Sequence, residues 1–143
     1  MPRDLTLKAM NAVHRAILKI SRGRVGFQFA GMPVVELTTT GRRSGLPHTV
    51  LLTSPARLGE ALVLVASRGG DDRHPAWFLN LEHDRQVQVA VQGGPARPML
   101  ARVATAQERD ELWPGIVARY PNYGGYQTKT QRVIPLVVLE PLA

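Results

Sequence analysis

Apolar positions recur along this chain with two different periods, and the switches between them mark out its elements. Met10, Val13, Ile17 and Ile20 return at the spacing of one helix face, surrounded by Lys8, Arg15 and Lys19, with Asp4 placed to cap the start. This predicts an amphipathic helix over residues 1–24. Residues 23–33 carry several glycines and predict an irregular approach to the first strand. Val34, Val35 and Leu37 among Thr and Glu predict that strand, and residues 50–53 a second. Residues 55–60 read as a turn. Residues 61–67 are almost unbrokenly apolar, which predicts a strand covered on both faces. Residues 87–92 alternate, as a half-buried strand does, and residues 99–104 return as its hairpin partner. Residues 134–139 supply a sixth strand.

Helices separate these runs. Residues 75–81 predict a short one with Pro75 in its first turn. Thr105 and Glu108 form a capping box that opens another, with Leu112, Trp113, Ile116 and Val117 as its buried stripe. Pro114 inside it predicts a kink. Residues 120–126 interleave Tyr with Gly, Pro and Asn and read as a loop, with the mobility of a lid. Hairpin-type links dominate, so the expected fold is mainly β (α+β). It is a sheet of about six mostly antiparallel strands, curled towards a barrel and flanked by helices, over residues 25–143.

Composition narrows the chemistry. With 143 residues, 44% hydrophobic and 20% charged, the chain can bury a proper core. Its net charge of +7 favours an anionic partner. Nucleic acid is disfavoured, because no helix-turn-helix, zinc-finger or RNP pattern is present and the basic residues lie apart from the aromatic ones. There is no apolar run of membrane-span length and no secretory leader, so a cytoplasmic location is expected. The basic helix over 1–24 either packs on the domain or touches an anionic membrane surface on the cytoplasmic face. Zero cysteines exclude thiol catalysis and iron–sulfur clusters. His14, His48, His74 and His83 lack metal-ligand spacing, and no metal site is expected. No Walker A loop, Gly-x-Ser-x-Gly elbow or dinucleotide-binding glycine motif occurs.

Three stretches carry candidate chemistry. Arg42, Arg43 and Ser44 stand between Gly41 and Gly45 at a hairpin tip closed by Pro47. Guanidinium forks there suit phosphate or carboxylate, unless the tip is a plain solvated turn. Gly69 and Gly70 follow the buried strand, where glycine lets a ligand come close to the backbone or simply lets the chain turn. Tyr120, Tyr123 and Tyr126 offer hydroxyl donors and rings that stack on a flat ligand, or else ordinary aromatic cover.

Residues 37–45 (LTTTGRRSG), 65–70 (VASRGG), 74–81 (HPAWFLNL), 120–130 (YPNYGGYQTKT) and 134–141 (IPLVVLEP) resemble, in content and order, the deazaflavin (coenzyme F420)-dependent nitroreductase and quinone reductase family. The resemblance implies a split β-barrel like the flavin-binding barrels, with coenzyme F420 as hydride donor to quinones, nitroaromatics or similar planar acceptors. It implies that Arg42, Arg43, Ser44 and Gly45 hold the cofactor's phosphate and glutamate tail, with His48, Thr49 and Val50 beside them. Ala66, Ser67, Arg68, Gly69 and Gly70 would line the deazaflavin, and Trp77 and Asn80 the wall beneath. Tyr120, Tyr123 and Tyr126 would cover the substrate side, with Tyr123 or Tyr126 as the acting hydroxyl. His48 stands where the family often has arginine, and Phe78 with Leu79 where many members have Tyr-His. Two other readings stay open: an FMN-binding reductase on the same barrel, and a cofactor-binding or membrane-surface protein without turnover. Monomer and homodimer are both compatible with the sequence.

Overall fold

The structure, a computed structural model, describes residues 28–29 and 31–142; the predicted helix over 1–24 lies outside the described residues. The strands are β1 (Gln28–Phe29), β2 (Met32–Thr40), β3 (Pro47–Thr53), β4 (Ala56–Leu58), β5 (Ala61–Val65), β6 (Gln86–Val91), β7 (Arg97–Val103) and β8 (Leu136–Pro141). The helices are α1 (Ala76–His83), α2 (Ala106–Arg119) and α3 (Pro121–Thr128), and a 3-10 turn spans Arg68–Gly70. Every pairing among these strands is antiparallel, in the order β3-β2-β6-β7-β8-β5-β4, with β1 on the start of β2.

All five residues of β5 are buried, as their apolar run predicts, and alternation sends them to two separate cores. Leu62 and Leu64 join Val35, Leu37, Val89 and Val137 inside the curled sheet, where α1 closes the space with Trp77, Phe78 and Leu81. Val63 and Val65 face the other way and pack with Ile116, Ile134 and Leu136, with Leu112, Trp113, Tyr123 and Tyr126 against them. The two helices after β7 thus cover the outer face of β5 and β8.

The sheet curls without closing, which makes it a split β-barrel. β3 pairs only with β2, and β4 follows β5 only as far as Ala56 opposite Val63. The outer edge of β3 and, on the side away from β8, the second half of β5 therefore have no partner among the described strands. They converge where Ser54, just past β3, donates its hydroxyl to the Val63 carbonyl at 2.8 Å. From there β3 leads back to the β2–β3 hairpin tip and β5 leads on to the Arg68–Gly70 turn.

Two expectations are corrected. Among the described residues the sheet has eight strands where about six were expected, because β1 and β4 are too short to show a period; residues 56–58 pair with β5 instead of turning. Residues 121–126 form not a loop but most of α3, with Tyr120 at its N-cap and Pro121 at its first position. Gly124 marks close helix packing, since a Cβ there would meet Val117 Cγ1 at 2.8 Å. α2 runs from Ala106 to Arg119 with Pro114 inside it, as the sequence places it, and Asp110, whose carbonyl loses its helical donor to Pro114, is exposed.

Candidate functional site

One wall of the split is the hairpin. Its last pair is Thr40 opposite Pro47, and residues 41–46 form the tip. Gly41 N–H donates to the Leu46 carbonyl at 2.8 Å and Gly45 N–H to the Gly41 carbonyl at 2.9 Å. Gly45 takes φ +72°, a conformation that glycine adopts without strain. Gly41 leaves room for its neighbours as they stand, since a Cβ would lie 2.6 Å from Ser44 Oγ and 2.7 Å from His48 Nε2 and would push those exposed side chains aside. Ser44 Oγ accepts from Leu46 N–H at 3.1 Å and lies 3.4 Å from His48 Nε2.

Asn80 of α1 fixes this tip. Its Oδ1 accepts from Arg42 N–H at 3.2 Å and from Arg42 Nη1 at 2.9 Å, while its Nδ2 donates to Thr39 Oγ1 at 3.2 Å. Asn80 is 5% exposed and Thr39 1%. In so dry a place each polar atom needs its partner, so the carboxamide acts as a bracket between helix and hairpin. Arg43 is exposed and takes no hydrogen bond or ion pair among the described residues. No acidic residue occurs in the tip. Two guanidinium groups, one of them held in place, therefore stand at one mouth of the split.

The other wall is the end of β5 and the turn after it. Ala66 N–H donates to the Pro135 carbonyl at 3.0 Å, on the β8 side. Antiparallel alternation then turns the Val65 N–H and C=O towards the split, past the point where β4 ends. Arg68, Gly69 and Gly70 follow with φ of +46°, +65° and +86°. Left-handed backbone at a non-glycine residue costs about 1–3 kcal/mol and needs external support. The Arg68 guanidinium supplies some by pairing with buried Asp71. The glycine pair divides its work. A Cβ on Gly70 would meet the Tyr126 carbonyl at 2.7 Å, so that glycine serves contact with α3; Gly69 has nothing within 4 Å and is the open surface of the turn.

Sequence reasoning missed Arg132, the side chain that holds this wall. Nε donates to the Asp71 carbonyl at 2.8 Å, Nη2 to the carbonyls of Ala66 at 3.2 Å and Ser67 at 2.9 Å, and Nη1 to His74 Nδ1 at 3.2 Å. Nothing near Arg132 in the sequence signals these partners, which lie 58 to 66 residues away.

The three tyrosines meet edge to face, Tyr120 with Tyr123 at 6.4 Å and Tyr123 with Tyr126 at 6.1 Å between ring centroids. The Tyr123 hydroxyl lies 3.3 Å from Thr53 Oγ1 and donates to Met32 Sδ at 3.7 Å. Burial pushes its phenol above the usual value, so it stays protonated at neutral pH. Tyr123 thus stands at the closed end of the split, where β3 finishes. From Pro47 to Thr53 a strand covers about 20 Å, which separates the cationic mouth from the tyrosine end. Such a split suits an elongated ligand with one anionic and one flat end. Trp77, 8% exposed and edge-on to Phe78, backs the hairpin wall from within the core. A cavity of about 440 Å³ opens elsewhere, beside Arg57, Leu62, Val91, Arg97 and Met99, and contains none of the predicted site residues.

Comparison with known proteins gives consistent matches. Residues 10–141 match the family described as F420H(2)-dependent quinone reductase. An F420H(2)-dependent quinone reductase of Mycobacterium tuberculosis is 39% identical over 132 residues, covering 89% of this chain and 87% of that protein. Among solved structures, an F420-H2-dependent reductase (FDR-A) superposes with a TM-score of 0.66 at 38% identity, over 76% of this chain and 94% of that one. A second, described as a domain-swapped dimer, has a TM-score of 0.67 at 32% identity over 98% and 100% of the two chains.

Proposed function

The chain belongs to the F420H(2)-dependent quinone reductase family, and from that premise we propose how its own residues serve an oxidoreductase whose cofactor is coenzyme F420 and whose acceptor is a quinone. The bound cofactor supplies a hydride from its reduced deazaflavin ring. The observation that carries the assignment is the pair of guanidinium groups at one mouth of the split, with buried Asn80 holding Arg42 in place. This donor set fits the cofactor's phosphate and carboxylates, which accept forked N–H pairs.

In this reading Arg42, Arg43, Ser44 and Gly45 grip the tail, and His48 extends the donors along β3. The edge of β3 at Thr49 and Val50 forms one side of the ring site. The run from Ala66 to Gly70 forms the other, with Gly69 giving the flat surface room. Trp77 and Asn80 stiffen the hairpin wall. Tyr123 keeps its proton and donates to the negative charge that develops on a quinone oxygen, while Tyr126 and Tyr120 shield the acceptor from water. Nitroaromatics develop negative charge on the same kind of oxygen, and we extend the proposal to them.

Two further readings have support outside the site. The pattern of Lys8, Arg15 and Lys19 supports contact of residues 1–24 with an anionic membrane surface on the cytoplasmic face; Lys8→Glu with Arg15→Glu should then weaken flotation on anionic vesicles. Likeness to a domain-swapped dimer supports a homodimer, which light scattering tests.

The testing experiment follows cofactor fluorescence as oxidised F420, then FMN, is titrated into the protein. It then mixes reduced F420 with menadione. F420 should saturate and FMN should not. Replacing Arg42 and Arg43 together by Ala should raise the F420 Kd at least about tenfold. Tyr123→Phe or Tyr126→Phe should lower kcat more than affinity. Unchanged affinity in the arginine double variant overturns the assignment of the tip.

A further inference from the structure

We infer that Arg132 is a positioning residue for the cofactor ring: without touching ligand, its guanidinium sets the backbone of residues 66–71 against which the ring lies. The inference rests on the reading above, in which that run lines the ring.

The guanidinium uses all three of its nitrogens on one wall. It binds the carbonyls of Ala66, Ser67 and Asp71 and the ring nitrogen of His74, between 2.8 and 3.2 Å. Because a trans peptide points its C=O and N–H in opposite directions, drawing the Ala66 carbonyl to Arg132 aims the Ser67 N–H away from it. The clamp therefore chooses which face of this backbone offers donors. Its own root is fixed as well. Gln127 Nε2 donates to the Arg132 carbonyl at 2.7 Å, and Arg132 N–H donates to Thr130 Oγ1 at 3.3 Å. Lysine cannot replace this planar fork, because one ammonium cannot reach acceptors spread around a plane.

His74 makes the clamp sensitive to acid. Arginine has no acceptor, so His74 Nδ1 must accept, which requires a neutral ring with its proton on Nε2. Burial and the neighbouring Arg132 both push its pKa down, against a weaker upward pull from Glu82. Phe78 lies against the ring at 4.7 Å, and Asp71, Asp72 and Arg68 complete the charges around the guanidinium. Protonated His74 would set an imidazolium against Arg132, removing one of four acceptors and adding repulsion.

The test compares wild type, Arg132→Lys, His74→Gln and the Arg42/Arg43 double alanine variant, in the full chain. Arg132→Lys should raise the Kd of oxidised F420 about tenfold and lower kcat with menadione, with the menadione KM unchanged within about twofold. A lower melting temperature with unchanged Kd and kcat would overturn the inference. Should Arg132→Lys not fold, the pH profile decides. The wild-type Kd should rise as the pH falls below the ordinary imidazole value of about 6.5, and His74→Gln should lose that part of the rise. Superimposable profiles would overturn the inference. If the arginine double variant leaves affinity intact as well, the binding reading itself has failed; if only that variant weakens binding, the fault lies with Arg132.

Discussion

Asn80→Ala removes the carboxamide that joins α1 to the hairpin tip, and the structure sets the size of the effect. Three hydrogen bonds go, two from Arg42 and one to Thr39. A neutral bond contributes about 0.5–1.5 kcal/mol and one from a guanidinium about 1.5–3 kcal/mol. Water can reach the partly exposed Arg42 but not Thr39, so the lower part of that range applies and the loss is about 3 kcal/mol. Alanine recovers about 0.6 kcal/mol through its better helix propensity. The net cost is about 2–3 kcal/mol, a fall in Tm of about 6–12 °C for a chain of this length. Urea unfolding at constant m-value measures it. The same protein, titrated with F420, should bind about three- to tenfold more weakly, because Arg42 must be ordered on binding instead of beforehand. A stability loss below about 0.5 kcal/mol with unchanged affinity would show that the bracket neither holds the fold nor orients the arginine.

Other residues give sharp contrasts. Gly125 has nothing within 4 Å of an added Cβ, so Gly125→Ala should stabilise by about 0.5–1 kcal/mol, whereas Gly124→Ala meets the stiff Val117 side chain and should lose stability; paired thermal melts decide. Glu108 accepts from Arg102 Nη1 at 2.6 Å and Nη2 at 2.8 Å and from Thr105 N–H at 2.9 Å, which holds its carboxyl down at about 2. The unfolded chain takes up that proton first. The contribution is therefore complete above pH 4.5 and disappears as pH falls towards about 2. Since the pair is partly exposed, it amounts to at most about 1 kcal/mol, and Glu108→Gln should lack that part of the acid slope in Tm.

What could be read in advance was short in range. The Thr105–Glu108 box has both bonds of a capping pair, because capping involves only neighbouring residues. The hairpin tip and the doubly covered β5 were legible for the same reason. α3 was not. Its Tyr, Asn and Gly residues are poor helix formers, and its glycine at 124 is selected by a side chain on another helix. The glycine pair at 69 and 70 announced an unusual turn without revealing that one member answers to α3. Asn80 was marked as a site residue, but its dual grip on Arg42 and Thr39 depends on how α1 docks. Arg132 left no trace at all, since its acceptors belong to segments that only the fold brings together.

The grip on the acidic tail is tested most directly by a binding cycle: intact oxidised F420 against the same deazaflavin lacking its phosphate and glutamates, each titrated into wild type and into the Arg42/Arg43 double alanine variant. Wild type should favour the intact cofactor by at least about tenfold, and the variant should bind the two alike, with its loss confined to the tailed form. Equal preference for the tail in both proteins would place the anion elsewhere and contradict the account.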